Sequence, residues 1–378
     1  MISHPYLYLL LIGLFASFAL FLSRKKYAIL QYVPPIVLLY MGIMILSSWG
    51  LFEKNEQITQ SYSLLKSNLL PAMLFVMLLP NKITYLFKLG PKMLLSFFLA
   101  TFSLFLAFTL SFLFLDLAAS DIKIFAPLAG SWMGGTGNML AVASAIGSSE
   151  NAIGTTMLID SVDYSLWVML LLLLVPFAPH FNRFTEASDP IEDVQIEENC
   201  TLHFSYRAYF WLLFSALSIS VLSQVSGIFL SDLLFGSVTI WSVIIATLAG
   251  ISLSFTPLCK IKGLRSTADA MLYLLIALIA SRANIHFDLE LVLYLFVGIL
   301  ILLIHALLML GFAKAFKLDL FTISVASLAN IGGIASAPIL SAAYAQSLVG
   351  VGVLMASIGY IIGTFVALFL TEVLSLLV

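Results

Sequence analysis

The sequence predicts an all-α polytopic membrane protein, on three observations. Of 378 residues, 62% are hydrophobic and only 10% charged, whereas soluble domains run near half apolar and about a quarter charged. Mean hydropathy is +1.10. Apolar stretches of about 20 residues, the length that crosses about 30 Å of hydrocarbon, recur from one end of the chain to the other.

Taken in order, continuous apolar length gives about 12 spans, in a range of 11–13: 5–22, 31–49, 64–80, 93–115, 123–147, 153–177, 207–226, 237–255, 268–282, 289–313, 320–343 and 348–376. The first has no basic residue before it and is followed at once by Arg24, Lys25 and Lys26. It reads as a retained span with its N-terminus outside, not as a cleaved signal. The long polar stretch at 179–205, with Glu186, Asp189, Glu192, Asp193, Glu197 and Glu198, reads as a linker between a first repeat at 1–178 and a second at 206–378.

The repeat rests on matched segments. "PAMLFVMLL" from Pro71 and "DAMLYLLIA" from Asp269 lie 198 residues apart, as do "DIKIFAPLAGSWMGGTGNMLAVASAIG" from Asp121 and "DLFTISVASLANIGGIASAPILSAAYA" from Asp319. In each of the latter a Gly-Gly pair falls thirteen residues after the aspartate. An internal duplication follows, a common plan in transporters. Twelve spans would make the halves parallel and leave Lys260, Lys262, Arg265, Lys314 and Lys317 across the membrane from Arg24, Lys25, Lys26, Lys82, Lys88 and Lys92. The positive-inside rule instead favours an inverted second half, which needs one span more or fewer.

Glycine within a membrane span costs about 1 kcal/mol against alanine and permits irregular backbone. Such backbone survives at membrane depth only where it is buried in protein or faces a cavity. The paired clusters predict one broken helix per repeat, at 130–138 and 329–336. Half-helix ends and free carbonyls would then meet a solute or ion at Gly134, Gly135, Thr136, Gly137, Asn138, Asn330, Gly332, Gly333 and Ser336, with Ser144, Ser327 and Ser341 as further hydroxyls. The competing reading is that these small residues only let helices pack closely.

Asp160 and Asp163 follow the first cluster three residues apart, on one helical face. Acids within a span are costly and usually serve ions or protons, which makes the pair the predicted coupling site; a position near the water interface is the plainer alternative. The last span has no matching acid and no opposing lysine or arginine, although "VDYSLW" and "IGYIIG" align around Tyr164 and Tyr360. Asp269, Arg282 and His286 lie at span ends, Glu372 is interfacial, and His305 reads as a packing histidine rather than a proton relay. Cys200 and Cys259 have no motif around them. With no nucleophile elbow, Walker lysine or zinc spacing, the chain reads as no enzyme and as needing no cofactor beyond Na⁺ or H⁺ as coupling ion. No basic cluster invites nucleic acid.

The segments "GSWMGGTGNMLAVASAIG", "LLPAMLFVMLL", "DYSLW", "SLANIGGIASAPILSAA" and "IGYIIGTFVAL" resemble the YjcL-like membrane proteins, a domain-of-unknown-function family (number 819). The resemblance implies the broad superfamily of cation:proton antiporters and bile-acid sodium symporters. Its members have inverted repeats, unwound helices crossing near the midplane, and a core domain moving against a panel domain. It places Asp160 and Asp163 where acids bind the ion in proton-coupled members, and implies a homodimer in a bacterial inner membrane. The function expected is a secondary active transporter of a small polar organic solute, coupled to Na⁺ or H⁺. A Na⁺/H⁺ antiporter without organic substrate and a non-transporting scaffold or enzyme are the alternatives.

Overall fold

The computed structural model describes residues 2–23, 25, 35–53, 55–80, 89–187, 205–233, 238–282, 289–345 and 348–378. Arg24, Lys26, Lys82, Lys88, Cys200, His286 and most of the polar linker lie outside them. The described chain is helical: α1 Pro5–Ser23, α2 Pro35–Ser48, α3 Glu56–Leu78, α4 Gly90–Leu115, α5 Ile122–Gly134, α6 Thr136–Ala145, α7 Glu150–Leu174, α8 Ala178–Thr185, α9 Tyr206–Leu233, α10 Val238–Leu253, α11 Leu264–Ala280, α12 Leu289–Ala315, α13 Leu320–Ile331, α14 Gly333–Tyr344 and α15 Val349–Ser375.

Among the described residues seven helical segments are long and apolar enough to cross a membrane. Along α9, Phe210, Phe214, Leu217, Val221, Val225 and Phe229 are each more than half exposed. Apolar side chains turned outward over a whole helix suit a hydrocarbon solvent and not water. Local chemistry sets several boundaries. The Asn55 side chain accepts from the Ile58 amide at 2.9 Å to cap α3, and Asp319 accepts from the Thr322 amide at 2.8 Å to cap α13. Pro91 opens α4, where its missing N–H has no helical partner to lose.

Contacts divide the chain into two compact units that do not follow the sequence halves. The first unit takes Met1–Asn81, Ser144–Ser161 and Asn199–Phe287; the second takes Lys82–Ala143, Val162–Glu198 and Asp288–Val378. Each therefore draws on both sides of the polar linker. In the first unit α3 packs on α9, α10 and α11, and α1 and α2 pack on α11. Phe75, Val76, Leu212, Ala216 and Leu264 form its core. Tyr8 shares a 2.7 Å hydrogen bond with Ser281, and Ser47 donates to the Ser281 carbonyl at 2.6 Å.

In the second unit α15 packs on α5, α13 and α14, and α4 packs on α12 and α13. The helices on either side of the polar linker match in order and length: α4 to α7 hold 26, 13, 10 and 25 residues, and α12 to α15 hold 27, 12, 12 and 27.

The spans read at 123–147 and 320–343 need correction, because each is a pair of short helices. After Gly135 (φ 87, ψ 173) the chain does not continue in its old direction. A Cβ on Gly130 would stand 3.0 Å from Val142 Cγ2 and 3.1 Å from the Asn138 carbonyl oxygen, whereas an uninterrupted helix would hold those residues about 12–18 Å away. So α6 doubles back on α5. On the other side of the linker α13 and α14 pack on each other through the Gly332–Gly333 turn.

Candidate functional site

The second unit brings both glycine turns to α15. Gly359 and Gly363, one turn apart, present a side-chain-free face to the end of α5: a Cβ on Gly363 would stand 2.5 Å from Gly134 Cα and 2.7 Å from the Met133 oxygen. Gly134 is equally constrained, since a Cβ there would meet the Asn138 side chain and, at 2.8 Å, the Gly359 oxygen. These glycines serve close helix packing, the plainer of the two roles the sequence left open. Gly135 and Gly333 differ, because their φ values of 87° and 59° fall in the left-handed region where side chains are strained.

Between those two turns lies Tyr360. Its ring carbon Cε1 is 3.0 Å from the Cβ position of Gly135, and its hydroxyl oxygen is 3.7 Å from that of Gly333. Tyr164 of α7 flanks the same second turn, with Cε2 at 2.5 Å from the Cβ position of Gly332. The tyrosines aligned in the sequence thus close on one pair of turns. Gly135, Thr136, Gly332, Tyr164 and Tyr360 are partly exposed, whereas Gly137, Asn138, Asn330, Gly333 and Ser336 are buried.

Both asparagines are committed to protein partners. Asn138 Nδ2 donates to the Gly134 carbonyl at 2.6 Å, and its Oδ1 accepts from Thr364 Oγ1 at 2.6 Å. Asn330 Nδ2 donates to the Ala326 carbonyl at 3.0 Å, and Thr101 Oγ1 reaches its Oδ1 at 2.8 Å. They fasten the hairpins to α15 and α4, a role that the residue type alone does not distinguish from solute binding. Ser336 Oγ is the opposite case, buried in the first turn of α14 with no hydrogen-bond partner among the described residues. A buried hydroxyl in that state is an open position for a ligand atom.

Asp163 is fully buried and Asp160 partly so. The boundary between the units falls at Ser161 and Val162, so the two acids belong to different units. Asp163 shares a face of α7 with Trp167, four residues on, and Trp167 Nε1 donates to Ser327 Oγ of α13 at 2.9 Å.

His305, missed as a network, joins four helices. Ser103 Oγ donates to the Ala100 carbonyl at 2.8 Å, so at 2.6 Å it must accept from His305 Nδ1–H. His305 Nε2 then accepts from Ser327 Oγ at 2.8 Å, and Ser327 accepts from Trp167. Every polar atom in this buried chain is satisfied with a neutral imidazole. Ser341, by contrast, bonds back to the Ala337 carbonyl at 2.9 Å within α14. Among the described residues no three His, Cys, Asp or Glu side chains converge as metal ligands.

Apolar helices of membrane length, facing outward with large aliphatic and aromatic side chains, define a helical protein embedded in a membrane. The family model described as "Protein of unknown function (DUF819)" matches residues 10–377, and the chain belongs to that family. Comparison with curated proteins gives no match.

Proposed function

We propose that the chain is a secondary active transporter moving a small polar organic solute by alternating access, coupled to Na⁺ or H⁺, in a bacterial inner membrane. One observation carries the reading: the turns of two helical hairpins, Gly135 and Gly333, meet one tyrosine ring in a single unit. The first-turn amides of α6 and α14 start at those turns, and helix N-termini attract carboxylate and other electron-rich groups. With Asn138 and Asn330 committed elsewhere, the solute's partners are Thr136, Ser336, those amides and the two tyrosine rings.

The hairpins also account for the odd count per half that the positive-inside rule asks for, by removing one crossing from each. If each hairpin enters and leaves by one face, the crossings are the seven long segments plus α2, α10 and α11, whose 14, 16 and 17 residues reach about 21–26 Å. That makes ten crossings, five on each side of the linker, and an odd number inverts the second half. Lys82, Lys88 and Lys92 then share the cytoplasmic face with Lys260, Lys262, Arg265, Lys314 and Lys317. The 3.5 Å ion pair of Lys92 with Asp319 and the 3.0 Å pair of Lys314 with Glu186 agree with this assignment. An inverted duplication with paired hairpins fits the cation:proton antiporter and bile-acid symporter superfamily.

The burial of Asp163 favours one second reading, a Na⁺/H⁺ antiporter without organic substrate. Proteoliposomes holding the purified chain, under imposed Na⁺ or proton gradients, separate the two in a screen of small carboxylates and amino acids. Gradient-driven uptake that falls at least tenfold in Asp163→Asn, with Asp160→Asn compared alongside and both proteins still folded, supports the symporter. Na⁺-driven proton flux with no solute present supports the antiporter. Absence of both fluxes, or full activity in Asp163→Asn, overturns the assignment.

A further inference from the structure

The first unit holds a half-open pocket of about 420 Å³, lined by α3, α9, α10 and the 144–150 segment, within the usual range for small-molecule sites. It shares no residue with the glycine turns. Its lining carries one cation and one carboxylate: Lys66 Nζ lies 3.3 Å from Glu150 Oε1, with the side chains 22% and 29% exposed. Tyr62 donates to the same oxygen at 2.5 Å and fixes the carboxylate; both of these contacts fall on Oε1, and among the described residues no side-chain bond to the second oxygen is seen. Lys66 likewise keeps further ammonium protons.

One buried hydroxyl is open. Ser242 Oγ is buried, lines the cavity and has no hydrogen-bond partner among the described residues. Pro71, inside α3, has no N–H to give the Ser67 carbonyl four residues earlier, and both residues line the cavity. Gln224 Nε2 is held by Asn68 Oδ1 at 3.0 Å, so its amide oxygen remains as an acceptor. Leu70 and Val243 add apolar wall.

We infer that this cavity is a binding site for a small zwitterion of the α-amino-acid type, separate from the turn site. The lining ion pair is neutral overall. A ligand of one sign would leave an uncompensated charge in a partly enclosed space, whereas a zwitterion offers its carboxylate to Lys66 and its ammonium to Glu150. The unpartnered Ser242 hydroxyl adds a hydrogen bond, and the apolar wall accepts a short aliphatic side chain.

The test is equilibrium binding to the full-length chain in lipid nanodiscs, with L-alanine and L-leucine against propionate and n-propylamine. Saturable binding of the amino acids, weakened at least tenfold in Glu150→Gln and in Lys66→Met, is expected. Thr136→Val and Ser336→Ala, at the turns, should leave it unchanged, so failure of this site and failure of the transport reading give different results. If the charge variants fold poorly, Ser242→Cys in a background lacking Cys200 and Cys259 replaces them, and alkylation slowed by L-alanine is expected there. Equal binding by the charge variants, alkylation indifferent to L-alanine, loss of binding only in the turn variants, or preference for propionate or n-propylamine overturns the inference.

Discussion

A Cβ on Gly363 would stand 2.5 Å from the Cα of Gly134, so α15 and the end of α5 touch through backbone alone. Gly363→Ala must push the two apart, and overpacking of this kind costs about 1–3 kcal/mol. Gly311, with nothing within 4 Å of its Cβ position, is the control; Gly311→Ala should be neutral or slightly stabilising. Thermal unfolding of the two purified variants in one detergent checks the contrast.

Thr364→Val removes the hydroxyl that donates to Asn138 Oδ1 at 2.6 Å. The orphaned amide oxygen should cost about 1–3 kcal/mol. In a double-mutant cycle with Asn138→Ala the two changes should couple by about 1–2 kcal/mol. Additivity would mean that the hydrogen bond fastens nothing.

The chain through His305 has a direction. Nitrogen NMR of labelled protein should find the proton on Nδ1, and Ser103→Ala should cost about 1–3 kcal/mol by stranding it. A proton on Nε2 would reverse the network and require Ser103 to release the Ala100 carbonyl.

Lys314 and Lys317 hold the exposed Glu186 carboxyl below its ordinary value of 4.5. A depressed carboxylate stabilises the folded state above its unfolded pKa, and that contribution disappears as pH falls through the lowered value. The stability gap between wild type and Glu186→Gln should therefore stay flat from about pH 8 to 5 and close on the acid side of 4.5. Added salt should narrow it at every pH.

The topology is open to cysteine labelling in a background lacking Cys200 and Cys259. Lys25→Cys, Lys260→Cys and Lys317→Cys should react with an impermeant thiol reagent from one face, and Asn151→Cys from the other. Reaction of Lys260→Cys from the face opposite Lys25→Cys would restore a twelve-crossing, parallel arrangement.

Much of the fold was legible because lipid simplifies the code: a run such as 207–226 needs only length and apolarity to declare a helix. The direction taken after a glycine is not written locally. Gly135 permits a left-handed φ, but contacts such as Gly130 with Val142 decide that the chain folds back. Site chemistry was legible as residue type and not as partner, since Asn138 beside a glycine turn suits a solute carboxylate and a Thr364 hydroxyl equally well. Gly359 and Gly363 carried a readable signal in their spacing, yet only the structure shows that their neighbour is Gly134. Lys66 and Glu150 lie 84 residues apart, and no local pattern announces such a pair.

Tyr360 touches the turn at Gly135 and the turn at Gly333, and this has a consequence for how such a chain changes over evolutionary time. Descendants of a duplicated segment ordinarily drift apart, each copy free to accept its own substitutions. On the proposed duplication, a single phenol ring acts here as a shared template, so an alteration that reshapes one segment is tested at once against the other. The likeness of the two glycine segments should then persist longest within reach of that ring and fade with distance from it.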